Sequence, residues 1–161
     1  MASGRTHFLL EAAVGMAAAG AMFSPEIRDS VARAMPLGAA LGFIAGYLFS
    51  LFFLSPDLDL HRSMAKRAWG PLGFIWKPYD WLFDHRGFSH SLLFGTATRL
   101  LYLFIMIGLP ALAVLWRFDV IAPETWTLED IHPWLPAVAG FIAGAYVPDM
   151  IHVLVDKLKL A

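Results

Sequence analysis

The sequence predicts an all-α, polytopic membrane protein with about four transmembrane helices and an interfacial loop between the second and third helices. Hydrophobic residues make up 58% of the chain and charged residues 16%, with a mean hydropathy of +0.61. Soluble domains average about 45–50% apolar and about 25% charged residues. Long apolar segments also recur along the chain with polar connections between them. The 161 residues are the size of one domain, so we predict a single membrane-embedded domain.

The charge balance and the missing cysteines exclude several classes of function. A formal net charge of −1 gives no reason to expect nucleic acid as a partner. The chain has no cysteine, which excludes a disulfide framework, a thiolate zinc site and a cysteine nucleophile. We expect the first apolar segment to be retained, and a cleaved signal peptide is the alternative.

The first two apolar segments differ in how clearly they predict a membrane span. Residues 8–23 are shorter than the roughly 20 residues that a perpendicular span requires, so they cross only if the helix extends to Thr6 or the membrane thins. Ser24-Pro25-Glu26 predicts a helix restart, and residues 25–35 read as a short polar helix or loop. Residues 36–54 are apolar throughout and form the clearest span.

Within the second span, Gly38, Gly42 and Gly46 recur every four residues. A helix face of this kind lets another helix approach closely. The alternative is that glycine is simply common in membrane helices. Pro56 disfavours helix at Ser55, so the span is expected to end there.

The second half of the chain supplies the interfacial loop and two more spans. Residues 60–88 mix cations with tryptophan and tyrosine, which is typical of a membrane interface, and predict short surface helices interrupted at Gly70-Pro71 and Pro78. Residues 89–116 form the third predicted span, which Pro110 is expected to kink or break. Residues 133–156 form the fourth span after an acidic loop.

The distribution of cations predicts the orientation. Four spans place both termini and residues 55–88 on one side of the membrane, with eight lysines and arginines against three on the other side. Because the cation-rich side of a membrane protein faces the cytoplasm, we expect a multi-pass protein of the bacterial inner membrane with cytoplasmic termini. The lipid bilayer, and other membrane proteins, are the expected partners.

This topology brings a set of metal-binding residue types to the cytoplasmic face. The set comprises His7, Asp57, Asp59, His85, His90, Asp149, His152 and Asp156. Asp149, His152 and Asp156 share one helix face, and His7 and Glu11 have the same i, i+4 spacing as His152 and Asp156. Asp57 and Asp59 are expected on one side of an extended turn. Imidazole nitrogens with carboxylate oxygens suit a divalent cation, here Zn, Mn or Fe, as one ion or two.

Each of these residues also has a local explanation. Asp57 and Asp59 could serve turn chemistry, His90 could begin a helix, and His152 could pair with Asp156 by a hydrogen bond. Imidazoles and carboxylates at the ends of apolar helices are nevertheless costly to bury without partners, which favours the metal site. Arg99 lies inside the third span and needs a counter-charge, for which Glu11 is the candidate.

Ordered motifs along the chain resemble a known family. They lie at residues 3–7, 55–59, 85–90, 95–102 and 152–156. The chain resembles an uncharacterised family of bacterial membrane metal-binding proteins, which is similar to the predicted membrane-bound metal-dependent hydrolases through Pro-Asp-x-Asp, His-Arg-x-x-x-His and His-x-x-x-Asp. The resemblance implies metal ligands at His7, Asp57, Asp59, His85, His90, His152 and Asp156.

These observations lead to two hypotheses of different classes. In the first, residues 1–161 form a membrane-embedded metal-binding domain that hydrolyses a phosphoester, with Arg86 or Lys77 binding the phosphate. In the second, the protein is an assembly factor or subunit of a membrane complex and the metal is structural. A metal transporter is less favoured, because apart from Glu11 and Arg99 the spans carry no polar path through the bilayer.

Overall fold

The computed structural model describes residues 4–59, 64–82, 91, 94–122 and 127–158, apart from the side chains of Asp57, Asp59 and Met64. Within this part of the chain every regular element is helical, which confirms the all-α prediction. The α-helices are α1 Gly4–Ala21, α2 Pro25–Ala34, α3 Leu37–Phe53, α4 Met64–Ala68, α5 Lys77–Leu82, α6 Phe94–Leu103, α7 Leu109–Arg117, α8 Leu128–Ile131 and α9 Leu135–Leu158. Short 3₁₀ or π segments occupy Pro56–Asp59, Gly70–Trp76, Phe104–Gly108 and His132–Trp134.

Fewer helices reach the length of a membrane span than the four predicted. Among the described residues, Phe94–Arg117 and Leu128–Leu158 are long and apolar enough to cross, with 24 and 31 residues. The segments Arg5–Ala21 and Pro25–Ala34 meet at 98° and supply a third candidate only if the bent pair counts as one span. Helix α3 has 17 residues, or about 26 Å at about 1.5 Å per residue, against a hydrocarbon core of about 30 Å.

Helices α3 and α9 form the central pair of the fold, and glycines let their backbones touch. A Cβ atom on Gly42 would lie 2.0 Å from the Ala137 carbonyl oxygen, and one on Gly144 would lie 2.0 Å from the Phe43 carbonyl oxygen. No side chain fits into such a gap, so glycine is required at both positions. The expected close approach of the glycine-bearing helix to another helix is therefore confirmed, and glycines of both helices produce it.

Two prolines lie inside helices without ending them. Pro110 was expected to kink or break the third predicted span, and it does not break it, because helix continues from Phe94 to Arg117. The turn before Pro110, Phe104–Gly108, is π-helical, and this wider turn accommodates a ring that would clash in a regular α-helix. Pro148 is buried within α9, which continues through Asp149 to Leu158.

The loop between α3 and α6 contains a small aromatic core. Trp76 and Tyr79 are fully buried, and their rings lie 5.4 Å apart between centroids. Both rings contact Tyr102 of α6, at 5.5 and 5.2 Å, while the Trp69 indole donates to the Phe53 carbonyl at 3.0 Å. These aromatics, predicted to lie at a membrane interface, therefore anchor the loop to α3 and α6.

The predicted interruptions of this loop are partly confirmed. Gly70 has a φ angle of +52°, a conformation that side chains disfavour, and it begins the 3₁₀ segment that follows α4. Pro78 does not interrupt the loop, because it occupies the first turn of α5, where its missing N–H leaves no helical hydrogen bond unmade. Lys66 of α4 and Asp80 of α5 form an ion pair that joins the two pieces.

Candidate metal centre

Helices α1 and α9 bring two matched pairs of side chains together. His7 and Glu11 lie one turn apart on α1, and His152 and Asp156 lie one turn apart on α9. His7 faces Asp156 while Glu11 faces His152. This crossed order shows that the two helices are antiparallel at the point of contact.

The contacts between these pairs are close and almost wholly buried. His7 Nε2 lies 3.1 Å from Asp156 Oδ1, and His152 Nδ1 lies 3.0 Å from Glu11 Oε1. The two imidazole rings stack with centroids 3.8 Å apart and an interplanar angle of 13°. His7, Glu11 and His152 are at most 4% exposed. The side chain of Asp156 is 18% exposed, so one edge of the cluster reaches the surface.

Three of these residues have the donors of a divalent metal site. His7, His152 and Asp156 each offer one ligand atom, and the three atoms lie within 4.8 Å of one another. Two imidazole nitrogens with a carboxylate oxygen are a common zinc donor set. Ligand atoms about 2.0–2.1 Å from a tetrahedral ion lie about 3.3 Å apart, close to the 3.1 Å between His7 Nε2 and Asp156 Oδ1. The residues therefore fit a bound divalent cation.

Arg99 pairs with Asp149, so its predicted pairing with Glu11 is wrong. The Arg99 guanidinium and the Thr96 hydroxyl both donate to Asp149 Oδ2, and Arg99 Nε donates to the Gly95 carbonyl at 3.1 Å. Arg99 lies on α6 and meets the turn of α9 that precedes His152. The reason is that a buried guanidinium needs acceptors for its N–H groups, and Arg99 finds a carboxylate and a carbonyl here. Glu11 therefore remains paired with His152.

The remaining predicted ligands are not joined to this cluster by the described atoms. Asp57 and Asp59 lie on a 3₁₀ turn, Pro56–Asp59, whose Leu58 N–H donates to the Ser55 carbonyl at 3.1 Å. The expected extended turn is therefore wrong, because a 3₁₀ turn rotates successive side chains by about 120°. The side chains of Asp57 and Asp59 lie outside the described part. His85 and His90, with Arg86, also lie outside it.

Sequence patterns missed several residues that hold the site. Tyr47 of α3 donates its hydroxyl to the Glu11 carbonyl at 2.6 Å, and Thr96 binds Asp149. The partner of Glu11 was also misassigned. A signal was present, since the i, i+4 pair His7/Glu11 mirrors the pair His152/Asp156, but spacing does not tell which residues face each other across two helices.

Comparison with known proteins adds a family. The model of the family described as "Uncharacterized metal-binding protein (DUF2227)" matches residues 2–161. The chain belongs to this family. An uncharacterized protein from Aquifex aeolicus (strain VF5) is 37% identical over 131 residues, which cover 76% of this chain and 92% of that protein. No solved structure matches the chain significantly. The family confirms the metal-binding part of the prediction.

Proposed function

We propose that this protein is embedded in the bacterial inner membrane and binds one or two divalent cations where α1 meets α9, at the cytoplasmic face. The observation that carries the proposal is the convergence of His7, His152 and Asp156, whose ligand atoms lie within 4.8 Å of one another. Membership of a metal-binding family supports it independently. Zn, Mn and Fe are the metals that accept this mixture of imidazole and carboxylate.

The outer surface of α3 supports the membrane location. Its exposed side chains form an apolar stripe along one face, made of Leu37, Leu41, Ile44, Leu48 and Phe52. Leu37 is 74% exposed and Phe52 46%, and the stripe lies opposite the glycine face that contacts α9. Soluble proteins seldom expose a continuous apolar surface of this kind to water. Lipid chains would cover it.

As the activity of this site we propose metal-dependent hydrolysis of a phosphoester. Three protein donors are the number that catalytic zinc sites use, with one coordination position left open. Asp156 is partly exposed, and a substrate would approach the cation from that edge. The cation would supply Lewis-acid stabilisation of charge on phosphoryl oxygens. Lys77, exposed on α5, is a candidate for holding the phosphate, and the site would lie at the depth of lipid head groups.

A structural metal in an assembly factor or complex subunit is the second candidate. The observation that favours it is the position of the cluster between α1 and α9, where a closed coordination sphere would join the two helices. An ion bound only by the folded chain stabilises that fold by mass action. The glycine-rich helix faces and the aromatic loop are equally compatible with this role.

Elemental analysis of the detergent-purified protein tests metal binding. We expect one to two equivalents of Zn, Mn or Fe, and we expect His152→Ala and Asp156→Asn to lose the ion. His132→Ala is the matched control, because His132 is exposed and lies in the 3₁₀ turn at the other end of α9. A wild-type protein that takes up no divalent metal after supplementation would refute both candidate functions.

Turnover and melting temperature together separate the two candidates. If the protein is a hydrolase, the metal-loaded wild type cleaves bis(4-nitrophenyl) phosphate or a phospholipid in mixed micelles, and Asp156→Asn removes turnover while the helices stay folded. If the metal is structural, the same substitution and treatment with a chelator both lower the Tm. Absence of turnover combined with a large chelator-dependent loss of Tm would rule out the hydrolase.

A further inference from the structure

The buried contact between Glu11 and His152 assigns Glu11 a role that is distinct from metal ligation. The Glu11 and His152 side chains are 5% and 2% exposed, and Glu11 Oε1 lies 3.0 Å from His152 Nδ1. A carboxylate oxygen accepts and a ring N–H donates, so this contact matches the tautomer of His152 that carries its hydrogen on Nδ1. In that tautomer Nε2 is the ring nitrogen that carries the lone pair, which is what metal ligation requires.

The geometry places Glu11 outside the ligand group. The atoms that lie within 4.8 Å of one another belong to His7, His152 and Asp156, and the Glu11 carboxylate does not join them. Metal-bound histidines commonly donate their second N–H to a carboxylate, which fixes the tautomer and the ring plane and makes the imidazole a stronger donor. We propose that Glu11 is the positioning residue of the metal site, holding His152 with Nε2 directed to the ion. This inference rests on the proposed metal-binding function.

Neighbouring contacts keep Glu11 available for this role. The Tyr47 hydroxyl donates to the Glu11 backbone carbonyl at 2.6 Å, and the Tyr47 ring lies over Gly15, where a Cβ atom would come within 2.7 Å of it. These contacts fix the position along α3 of the α1 turn that carries Glu11. Arg99 of α6 meets α9 one turn before His152 and is already paired with Asp149, so it does not compete for the Glu11 carboxylate.

The first test measures zinc binding by the full chain in detergent. Glu11→Gln should keep the wild-type zinc stoichiometry at saturating zinc, while chelator competition should show an affinity about 10–100-fold weaker. The Co²⁺-substituted protein should keep the number of ligands that its visible absorption reports. Glu26→Gln is the control, because Glu26 is exposed on α2. Unchanged zinc affinity in Glu11→Gln would overturn the proposal, and loss of stoichiometry equal to that of His152→Ala would identify Glu11 as a ligand instead.

The second test does not depend on metal, so it separates failure of this inference from failure of the proposed function. In the metal-free wild type, ¹⁵N-labelled histidine NMR should show His152 as the Nδ1–H tautomer. Glu11→Ala should shift His152 towards the Nε2–H form, which is the commoner form of an imidazole without such a partner. An Nε2–H tautomer in the wild type would overturn the positioning role even if zinc binds. An Nδ1–H tautomer in a protein that binds no metal would refute the metal site alone.

Discussion

The Arg99 guanidinium of α6 and the Asp149 carboxylate of α9 form an ion pair in which both side chains are at most 4% exposed. The pair lies one helical turn from His152 and brings the longest apolar helices of the described chain into contact. Asp149 Oδ1 and Arg99 Nη1 have no hydrogen-bond partner among the described atoms. Each charged group of the pair is therefore hydrogen-bonded at only some of its polar atoms, so each charge depends strongly on the opposite one.

Breaking this ion pair should destabilise the fold. Asp149→Asn leaves the Arg99 charge buried without a carboxylate, and removing one partner of a buried pair costs about 3–5 kcal/mol. The double variant Arg99→Met/Asp149→Leu removes both charges and should recover most of that loss. Unfolding in mixed SDS micelles measures the free energies.

The control is Asp29→Asn, whose pair with Arg28 is more than half exposed and should contribute little. A double variant as unstable as the single one would contradict the argument.

The contact between α3 and α9 should not tolerate a methyl group. Gly42→Ala or Gly144→Ala places a Cβ atom 2.0 Å from a backbone carbonyl oxygen of the other helix, so the helices must separate. We expect a loss of about 1–3 kcal/mol or more, the usual cost of overpacking, measured by the same unfolding assay.

Gly20→Ala is the matched control for this contact, because nothing lies within 4 Å of the added methyl group. Alanine is the better helix former by about 1 kcal/mol, so this variant should be neutral or more stable. Equal destabilisation by all three substitutions would show that helix packing is not the cause.

Metal affinity should respond to Tyr47 although Tyr47 is not a ligand. Tyr47→Phe removes the hydrogen bond to the Glu11 carbonyl, which contributes about 0.5–1.5 kcal/mol, and loosens the α1 turn that carries Glu11. We expect weaker zinc binding at unchanged stoichiometry. Gly15→Ala, which pushes on the Tyr47 ring, should act in the same direction. Chelator competition measures the zinc affinity, with Gly20→Ala as the control. Wild-type zinc affinity in both Tyr47→Phe and Gly15→Ala would show that the docking of α1 on α3 does not affect the metal site.

Cysteine labelling should establish the topology, since the natural chain has no cysteine. Cysteine at Phe23, which is 88% exposed, and at Ala122 should react with an impermeant reagent from outside. Cysteine at Ser3 or Ala161 should react only after the cytoplasmic side is opened. Labelling of Ala122 and Ala161 from the same side would refute four spans. Inaccessibility of Phe23 from outside would show that α1 and α2 enter and leave on one side.

The sequence predicts the site better than it predicts the packing around it. The predicted spans and their alternating directions place His7, His152 and Asp156 at one end of the helices, and the structure brings these three together. The partner of each residue depends on the axial offset between α1 and α9, which the chain sets through Tyr47 and backbone contacts that no residue pattern encodes. For the same reason, Arg99 was paired with Glu11 instead of Asp149.

Composition alone does not distinguish two environments that use the same residues. Tryptophan and tyrosine beside lysine are typical of a membrane interface, yet Trp76 and Tyr79 are fully buried. An aromatic side chain with one polar atom suits both an interface and a small core. Only the contact with Tyr102, 23 or more residues further along the chain, distinguishes the two, and it depends on the folded path of the loop.

The pairing of α1 with α9 has a consequence for biosynthesis. His7 and Asp156 are 149 residues apart and Glu11 and His152 are 141 apart, so the ribosome makes one half of the site long before the other. At about 5–20 residues per second, that separation of 141 residues corresponds to a wait of about 7–28 s. During this interval α1 can dock on α3 through Tyr47, which emerges early, while its imidazole and carboxylate await their partners. Capture of the cation is then a late event that reports a chain whose α9 has been made and docked on α1.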